Sequence, residues 1–444
     1  MGLLAVPLAA ATGVHEYELD NGMKVLIKTD RRAPVVVAQV WYRVGASYEW
    51  SGITGVSHVL EHMMFKGTKK HAAGEFSRII AAQGGRENAF TSRDYTAYFQ
   101  TLEKSRLPVS MEMEADRMHN LVLQEEEFAK EIKVVMEERR TRTDDQPRAL
   151  TYEQLYATAF NHSGYHHPTI GWMNDLEHLQ VQDLQDWYRQ WYAPNNATLV
   201  VVGDVVPEQV YALAQRHYGV IPKAQVATLK PRMEAPQQGQ RRVVVEAPAK
   251  LPFILMGYKV PVLATAEDEN EVYALDVLAG VLDGGDSARF SRDLIRGRQL
   301  AASAGASYGM HARSDDLFSL QAIPANGHSI AELEAALREH IDRVSTELVD
   351  ARELKRIKAQ VIAAEVYEKD SLFYQGMALG ILETVGLGWQ RQEEYVEKIK
   401  AVTAEQVRDV ARKYLVDTRL TVAILKPLPL DPDTAPAATA PGRH

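Results

Sequence analysis

The chain has 444 residues, of which 46% are hydrophobic and 25% charged, a balance typical of a globular protein with two or more domains. It contains no cysteine, which excludes disulfide bonds, thiolate metal sites and a cysteine nucleophile. The formal net charge of −9 and the lack of any long apolar run argue against a nucleic-acid partner and against a transmembrane helix.

The first thirteen residues resemble the end of a secretory signal. A short apolar run is followed by small residues suited to cleavage, although the positively charged start of such a signal is missing. We therefore predict that residues 1–13 are a signal remnant and that the protein is periplasmic, with the cytoplasm as the alternative.

Three strands are predicted next. Residues 14–28 read as two strands joined by a turn at Asp20-Asn21-Gly22, and residues 34–42 form a long β-branched run. A loop from Glu49 to Gly55 then leads into a strongly apolar helix.

That helix carries two histidines and a glutamate at a spacing that suits a metal site. His58 and His62 are one helical turn apart and face the same way, and Glu61 stands beside them. Two imidazoles at this spacing make half of a zinc site, and a carboxylate next to a metal-bound water can take its proton. A buried helix that holds three such groups needs partners for them, and a metal would supply these partners. The alternative is a buried amphipathic helix with two histidines by chance.

A third ligand is expected from an acidic helix predicted at residues 125–142. Catalytic zinc keeps three protein ligands and one open position. Glu131 and Glu138 are two turns apart and share a partly apolar face, so either could reach the metal, whereas Glu137 points elsewhere and is predicted to be solvated.

These two helices resemble the pitrilysin, insulin-degrading enzyme and mitochondrial processing peptidase family, in particular its bacterial two-domain zinc subunits. The resemblance rests on H-x-x-E-H followed by E-x-x-V-V-x-x-E, which ends at Glu138. It implies that His58, His62 and Glu138 hold one zinc ion, that Glu61 is the general base, and that Glu131 is a further catalytic carboxylate near the metal.

The resemblance also implies how a peptide is held. Residues 86–99 read as two strand segments around a short turn. In the family, the piece that matches Asn88, Ala89 and Phe90 is an edge strand beside the zinc, with which an extended peptide pairs through its main chain. The alternative is an ordinary hairpin whose edge is covered.

One family feature is incomplete in this chain. Many relatives carry an arginine in the second half, followed six or seven residues later by a tyrosine, and both reach the substrate near the zinc. Arg296 matches the arginine, but the tyrosine position falls on Ala302 or Ser303.

A loop with three histidines follows a helix predicted at residues 152–160. His162, His166 and His167 lie in a segment that contains glycine and proline. A second metal site is conceivable there, but scattered histidines in loops are more often surface groups, and we interpret them so.

The second half of the chain repeats the first. The helix, turn and strand at residues 182–203 recur at residues 405–425 with an offset of 223 residues, which indicates a duplicated α/β unit. In the repeat of the first helix, the positions of His58, Glu61 and His62 are taken by Leu275, Leu278 and Ala279. The second half therefore keeps the helix and lacks a metal site.

We predict an α+β fold of two homologous α/β domains. Each is expected to be a mainly antiparallel sheet faced by helices. The resemblance implies that the two domains together form one half of a clam. The predicted bounds are 14–221 for the zinc-binding domain, 222–240 for a Pro/Gln-rich linker, 241–428 for the second domain and 429–444 for a disordered tail.

The predicted activity is zinc-dependent hydrolysis of short or unfolded peptides in a closed chamber. Family chambers need four such domains, so the chain is expected to be the zinc-bearing subunit of a dimer. The missing tyrosine favours a heterodimer with a homologous chain that supplies the Arg/Tyr pair; a homodimer, in which Tyr308 or another group substitutes, is the alternative. A non-catalytic scaffold or peptide-binding subunit of the same family is the alternative function.

Overall fold

Within residues 13–430, which the computed structural model describes, the chain forms two β-sheets and fourteen α-helices. The strands are β1 (Val14–Glu18), β2 (Lys24–Thr29), β3 (Val35–Tyr42), β4 (Arg86–Thr91), β5 (Thr96–Glu103), β6 (Ala197–Gly203), β7 (Arg241–Pro248), β8 (Phe253–Val260), β9 (Ala301–Ser307), β10 (Asp316–Pro324) and β11 (Leu420–Leu428). The helices are α1 (Val56–Met63), α2 (Glu75–Ala82), α3 (Leu107–Asn120), α4 (Glu125–Arg139), α5 (Pro147–Ala159), α6 (Met173–His178), α7 (Val181–Trp191), α8 (Pro207–His217), α9 (Glu269–Asp283), α10 (Ile330–Thr346), α11 (Ala351–Glu368), α12 (Leu372–Thr384), α13 (Arg391–Ala401) and α14 (Ala404–Tyr414).

Two of the sequence predictions concern the chain ends. The signal remnant and the disordered tail lie outside the described residues, apart from Gly13, Pro429 and Leu430. Between these ends, no helix combines the length and the apolar character needed to cross a membrane.

The first sheet has six strands in the order β1-β2-β6-β3-β5-β4. Only the β2–β6 pair is parallel. The central strands β3 and β6 are runs of valine and other apolar residues buried on both faces, as strands with helices on either side require. Among the described strands β4 pairs with β5 alone, so β4 forms an edge.

The second sheet repeats this topology with five strands in the order β7-β11-β8-β10-β9. Its parallel pair is β7–β11, and β9 takes the edge position that β4 has in the first sheet. Helix α7 and strand β6 recur as α14 and β11 at the predicted offset, since Val181 corresponds to Ala404 and Ala197 to Leu420. The predicted α+β fold of two related sheets faced by helices is thereby confirmed.

Each half of the chain lends one helix to the sheet of the other half. Helix α5 packs on β7, β8 and β11, where Leu155 and Ala159 share an apolar cluster with residues of the second sheet. Helix α12 packs on β3 and β6, where Leu379 meets Trp41 and Val200. Because strand side chains alternate between faces, each sheet buries one face under helices of its own half and the other under the exchanged helix. The sequence-based domain bounds stay a prediction, since this exchange crosses them.

Helix α5 also begins earlier than predicted, at Pro147 instead of Tyr152. Proline suits the first turn of a helix, because the amide hydrogen that it lacks has no partner within the helix there. The additional turn brings Ala149 to the wall of the cavity described below.

Close contact with the first sheet depends on two glycines of α12. A Cβ atom added at Gly380 would lie 2.1 Å from the Trp41 ring, and one added at Gly376 would lie 2.7 Å from the Gln39 side chain. The Trp41 ring cannot easily retreat, because it is almost fully buried and its Nε1 donates a hydrogen bond of 3.0 Å to Gln39.

The predicted linker is irregular, as expected, but it is fixed to both halves. The carboxylate of Glu234 accepts hydrogen bonds from the backbone amides of residues 161–163 and from Lys259 Nζ at 2.9 Å. Arg232 donates to the backbone carbonyl of Glu49 at 2.7 Å, just ahead of α1. These contacts tie the connection to the first half on one side and to the second sheet on the other.

Candidate metal centre

Helix α1 starts on a buried carboxylate. Glu49 accepts hydrogen bonds from the backbone amides of Gly55 at 2.7 Å and Ser57 at 2.9 Å. The first amides of a helix have no partner within it, and a carboxylate there also meets the positive end of the helix dipole. Gly55 has φ = 88°, and a Cβ at this position would lie 2.7 Å from the carbonyl oxygen of Ile170. The start of α1 is thus fixed by both polar and steric contacts.

The predicted ligands come together. His58 and His62 on α1 and Glu138 on α4 each direct one ligand atom into a group whose members lie within 4.8 Å of one another. Glu138 Oε2 is 3.4 Å from His62 Nε2 and 3.9 Å from His58 Nε2. The three side chains are only 13–21% exposed, so the cluster is sheltered from solvent.

A second carboxylate orients one of the histidines. Glu131 Oε1 lies 2.9 Å from His62 Nδ1, and its other oxygen is 2.5 Å from Lys66 Nζ. A hydrogen bond from Nδ1–H to Glu131 leaves the lone pair of His62 Nε2 directed toward Glu138 and His58. Despite burial, the hydrogen bonds from His62 and Lys66 lower the pKa of Glu131.

The donor chemistry of this cluster fits zinc. Burial and the neighbouring His62 lower the pKa of His58 to about 4, which keeps its imidazole neutral and able to donate a lone pair. Burial alone would lower the pKa of His62 as well, but Glu131 and Glu138 raise it to about 9. A cation would take the place of that proton. Two imidazole nitrogens and one carboxylate oxygen match the ligand set of catalytic zinc sites.

Glu137 behaves as predicted for a solvated residue. Its side chain is 65% exposed and pairs with Arg140 Nη1 at 3.1 Å. It therefore faces away from the histidines, although it directly precedes Glu138.

Glu61 lies between the cluster and the edge strand. Its Oε2 accepts a hydrogen bond of 2.5 Å from Thr91 Oγ1 on β4. Burial raises the pKa of Glu61, while the hydrogen bond from Thr91 acts in the opposite direction. A carboxylate with a raised pKa beside a cluster of metal ligands suits proton transfer near neutral pH.

A cavity of about 420 Å³ opens over these groups. Its floor includes His58, Glu61 and Glu138, and one wall is the edge strand β4, through Ala89, Phe90 and Thr91. The opposite side is formed by the start of α5 and by residues 168–170. The predicted edge strand and the predicted ligands thus border the same space, whereas Asn88 is exposed just outside it.

A buried ion pair joins the ligand helix to α5. Arg139, the residue after Glu138, holds Glu153 with two hydrogen bonds of 2.8 and 3.0 Å. It also donates to the carbonyl oxygen of Gly171 at 2.8 Å. Because both side chains are almost fully buried, this pair fixes the position of the end of α4 relative to the cavity wall.

Helix α4 ends in a wider turn than predicted. It stops at Arg139 and continues as a π-helical turn, Arg140–Asp144, in which the amide of Asp145 donates to the carbonyl of Arg140 at 2.8 Å. Such turns are frequent at functional sites. This one carries Arg142, whose Nη1 lies 2.5 Å from Glu138 Oε1.

The structure does not bring Arg296 to this cavity. It lies in the segment Phe290–Gly297 of the second half and donates to the carbonyl of Asp286. Ala302 and Ser303 are exposed on the edge strand β9. Tyr308, the sequence-based substitute for the missing tyrosine, donates its hydroxyl to the carbonyl of Pro261 at 2.6 Å and stacks on Phe318.

Within residues 13–430 the histidine loop contributes to no group of three metal ligands. Its interpretation as a surface segment is wrong for His167, which is buried and only 5% exposed, whereas His162 is exposed. His166 and His167 have ring centroids 3.8 Å apart, and together with His162 they line a shallow surface depression. The group formed by His58, His62 and Glu138 is the only metal-ligand group of three or more found in the described residues.

The sequence analysis did not assign a role at the site to five residues that surround it: Glu49, Thr91, Arg139, Arg142 and Glu153. Most of them act through long-range contacts that leave no local pattern. Arg142 is the exception, because its spacing of four residues from Glu138 on a helix already predicts an ion pair.

Comparison with known proteins gives two family matches. Residues 24–171 match the family model described as "Insulinase (Peptidase family M16)", and residues 178–361 match the one described as "Peptidase M16 inactive domain". The first match contains His58, Glu61, His62 and Glu138. The second covers most of the half in which the corresponding helix lacks these side chains.

Two named relatives match nearly the whole chain. The zinc protease PqqE of Helicobacter pylori is 31% identical over 440 residues, which cover 96% of this chain and 97% of that protein. The uncharacterized zinc protease YmxG of Bacillus subtilis is 23% identical, with 93% of this chain and 98% of that one covered.

Solved structures show the same architecture. A protease from Helicobacter pylori superimposes with a TM-score of 0.88 at 29% identity, covering 93% of this chain and 99% of that one. The periplasmic protease PqqL from Escherichia coli superimposes with a TM-score of 0.78 at 18% identity, and the match covers 96% of this chain but 50% of PqqL. One copy of the present fold therefore corresponds to about half of PqqL.

Proposed function

Because the chain belongs to peptidase family M16, the insulinase family, we propose that it is a zinc-dependent endopeptidase that cuts short or unfolded peptides. The observation that carries this proposal is the convergence of His58, His62 and Glu138 beside Glu61 and an open edge strand. Metal ligands, a carboxylate able to move protons and a surface for an extended chain thus border one cavity.

The chemistry divides between the metal site and the residues around it. Zinc held by His58, His62 and Glu138 would polarise the carbonyl of the scissile bond and make a water molecule more acidic. Glu61 accepts the proton of the attacking water and then delivers it to the leaving amine. The hydrogen bond from Thr91 holds the Glu61 carboxylate in place for both transfers. Glu131 orients His62 through Nδ1.

Strand β4 explains why the substrates should be extended. Its outer edge has no strand partner among the described residues, and Ala89, Phe90 and Thr91 face the cavity. A peptide that adds to this edge is held by main-chain hydrogen bonds, largely independent of its sequence. A folded protein resists, because its own backbone is already paired.

The proposal includes a dimer in which this chain is the zinc-bearing subunit. Two observations support a partner that supplies the Arg/Tyr pair. The tyrosine position is Ala302 or Ser303, and the hydroxyl of Tyr308 is engaged within its own core. The half-length match to PqqL supports the view that one chain makes half of a chamber. A periplasmic location is part of the proposal and depends on the signal-like start.

The test combines metal content with peptide hydrolysis. The purified chain, with whatever homologous chain accompanies it, should contain one zinc per copy and cut a flexible labelled peptide. Glu61→Gln should keep the zinc and lose most of the turnover, because an amide cannot accept the proton. Turnover close to that of the unchanged chain would remove Glu61 from this role. A chain with neither zinc nor turnover would instead favour the non-catalytic scaffold.

A further inference from the structure

Arg142 occupies an unusual place in the cavity wall. The π-helical turn at the end of α4 directs its side chain over the cavity, where one end of the guanidinium contacts Glu138. Thr141 holds this turn, since its hydroxyl donates to the carbonyls of Glu137 and Glu138 at 3.1 Å. Arg142 is therefore anchored at its backbone and at Nη1, while 64% of its side chain stays exposed.

The rest of the guanidinium remains available. An arginine presents five donors in a planar fork. Within residues 13–430 no hydrogen-bond acceptor is found for Nε or Nη2 of Arg142, so the pair of donors that can hold a carboxylate with two parallel hydrogen bonds is open to the cavity.

The charges around the cavity leave Arg142 with no competing cation. It is the only lysine or arginine among the described residues that line the cavity. The cavity's own carboxylates are already engaged: Glu138 faces the two histidines, Glu153 is held by Arg139, and Glu61 accepts a hydrogen bond from β4. A carboxylate of the substrate can therefore bind Nε and Nη2 of Arg142 without displacing a carboxylate of the protein from these atoms.

We propose that Arg142 is a specificity-determining residue that binds a carboxylate of the peptide close to the scissile bond. The carboxylate belongs either to an Asp or Glu side chain or to the free C-terminus, since both present the same two oxygens. Main-chain pairing with β4 tolerates any sequence, and Arg142 adds the chemical preference that pairing lacks. This inference rests on the proposed function in placing the peptide along β4 and its scissile bond beside His58, His62 and Glu138.

Binding can be measured separately from turnover. The whole chain with the substitution Glu61→Gln is loaded with zinc and titrated with flexible labelled peptides. One series of peptide pairs has Glu or Gln at a given position, and a further pair has a free or an amidated C-terminus. We expect one Glu peptide, or the free C-terminus, to bind about threefold to tenfold more tightly than its neutral counterpart. The protein that retains Glu61 should cleave the more tightly bound peptide with a higher kcat/KM than its neutral counterpart.

The matched variants are Arg142→Gln and Arg140→Gln. Arg140 lies two residues away, pairs with Glu137 and does not line the cavity. Arg142→Gln should abolish the preference, and Arg140→Gln should keep it. Zinc content is measured in both variants. If Arg142→Gln loses zinc, Arg142→Lys is used in its place, because lysine keeps the positive charge beside Glu138. Lysine lacks the second pair of donors, so Arg142→Lys should weaken the preference for the carboxylate.

The outcomes separate this inference from the proposed function. Equal binding of all charged and neutral pairs, or a preference that survives Arg142→Gln, would overturn it. A carboxylate preference in binding, without hydrolysis by any preparation, would support the role of Arg142 and reject the peptidase activity. Failure to bind any of the peptides would reject both.

Discussion

Two adjacent glutamates on α4 have opposite surroundings. Glu138 faces the histidines, whereas Glu137 is solvated and pairs with Arg140. Removal of one negatively charged oxygen donor from a three-ligand site should weaken zinc binding strongly, while the same change on the exposed neighbour should not. We therefore expect Glu138→Gln to lower the zinc content of the purified protein and Glu137→Gln to leave it unchanged. Equal zinc content in both variants would show that the ligand is misassigned.

The burial of Glu49 should make the free energy of unfolding depend on pH. Burial raises its pKa to about 7 from an ordinary value of 4.5, although the hydrogen bonds from Ser57 and Gly55 act against this. The folded chain therefore binds this proton more tightly than the unfolded chain does. The resulting stabilisation of the folded chain is complete below pH 4.5 and is lost as the pH rises through 7. A pKa difference of this size between the folded and unfolded chain corresponds to about 3 kcal/mol.

The comparison that isolates this effect uses Glu49→Gln, which has no proton to lose. The free energy of unfolding of the unchanged chain, relative to that of the variant, should fall by about 2–4 kcal/mol as the pH rises from 4.5 to above 7. Denaturant titrations with a chelator present keep metal binding out of the measurement. A difference that stays constant with pH would show that Glu49 does not titrate in this range.

The proposed ligands could be picked out from the sequence because the two histidines form a local helical pattern and the family resemblance selects Glu138 over Glu131. His58, His62 and Glu138 are related by helical periodicity and by a family motif. The residues that hold them are not. Glu49 reaches α1 from the loop that precedes it, and Glu153 meets Arg139 from the next helix, so neither contact follows from the periodicity of α1 or α4.

At the scale of elements, the contact of α12 with the first sheet depends on Gly380. Alanine is favoured over glycine inside a helix by about 1 kcal/mol, but a methyl group 2.1 Å from the Trp41 ring would force helix and sheet apart. We expect Gly380→Ala to lower the free energy of unfolding by about 1–3 kcal/mol net. Thermal and denaturant unfolding would measure this loss.

Gly309 provides the control for that substitution. It is exposed, and an added Cβ there would meet nothing within 4 Å. Gly309→Ala should change stability by less than about 1 kcal/mol. If Gly380→Ala were as mild as the control, the packing of α12 on Trp41 would be looser than the structure shows.

The sequence predicted most elements but not the exchange of α5 and α12. Strand alternation, helix periodicity and the internal repeat are local or periodic, and they located β1 to β6, α1, α4 and the repeated unit. Which half a helix covers is decided by contacts across a large sequence separation. The sequence of α12 therefore reads as an apolar helix, without an indication of the sheet on which it packs.

At the scale of the whole molecule, the exchange predicts that neither half is stable alone. A first half that ends at Lys230 would lack α12 and expose the face of the first sheet that contains Trp41 and Val200. The second half would likewise lack α5. We expect each half to aggregate when expressed separately, and co-expression to restore a soluble pair. A half that stays monomeric and unfolds cooperatively would contradict this, as size-exclusion chromatography and calorimetry can show.

The proposed dimer makes a second prediction at this scale. A hydrogen-bond donor at a reacting carbonyl is worth roughly 10²–10³-fold in rate. The chain alone should therefore bind zinc yet cut a flexible peptide poorly, and a homologous chain with the Arg/Tyr pair should raise turnover by about that factor. Turnover of one peptide is compared before and after mixing. A lone chain as fast as the mixture would reject the divided site.

The exchanged helices also determine the order in which the protein can fold during synthesis. Gly203 ends the last strand of the first sheet, whereas its cover α12 starts at Leu372, about 170 residues later. At about 5–20 residues per second the ribosome needs roughly 10–30 s for that stretch. Throughout this time one apolar face of the first sheet is exposed to other unfolded chains. Helix α5 is likewise uncovered until the second sheet has been synthesised. The two halves can therefore complete their folding only together, after α12 and β11 have been synthesised, and holdase chaperones have their longest opportunity to bind before that point.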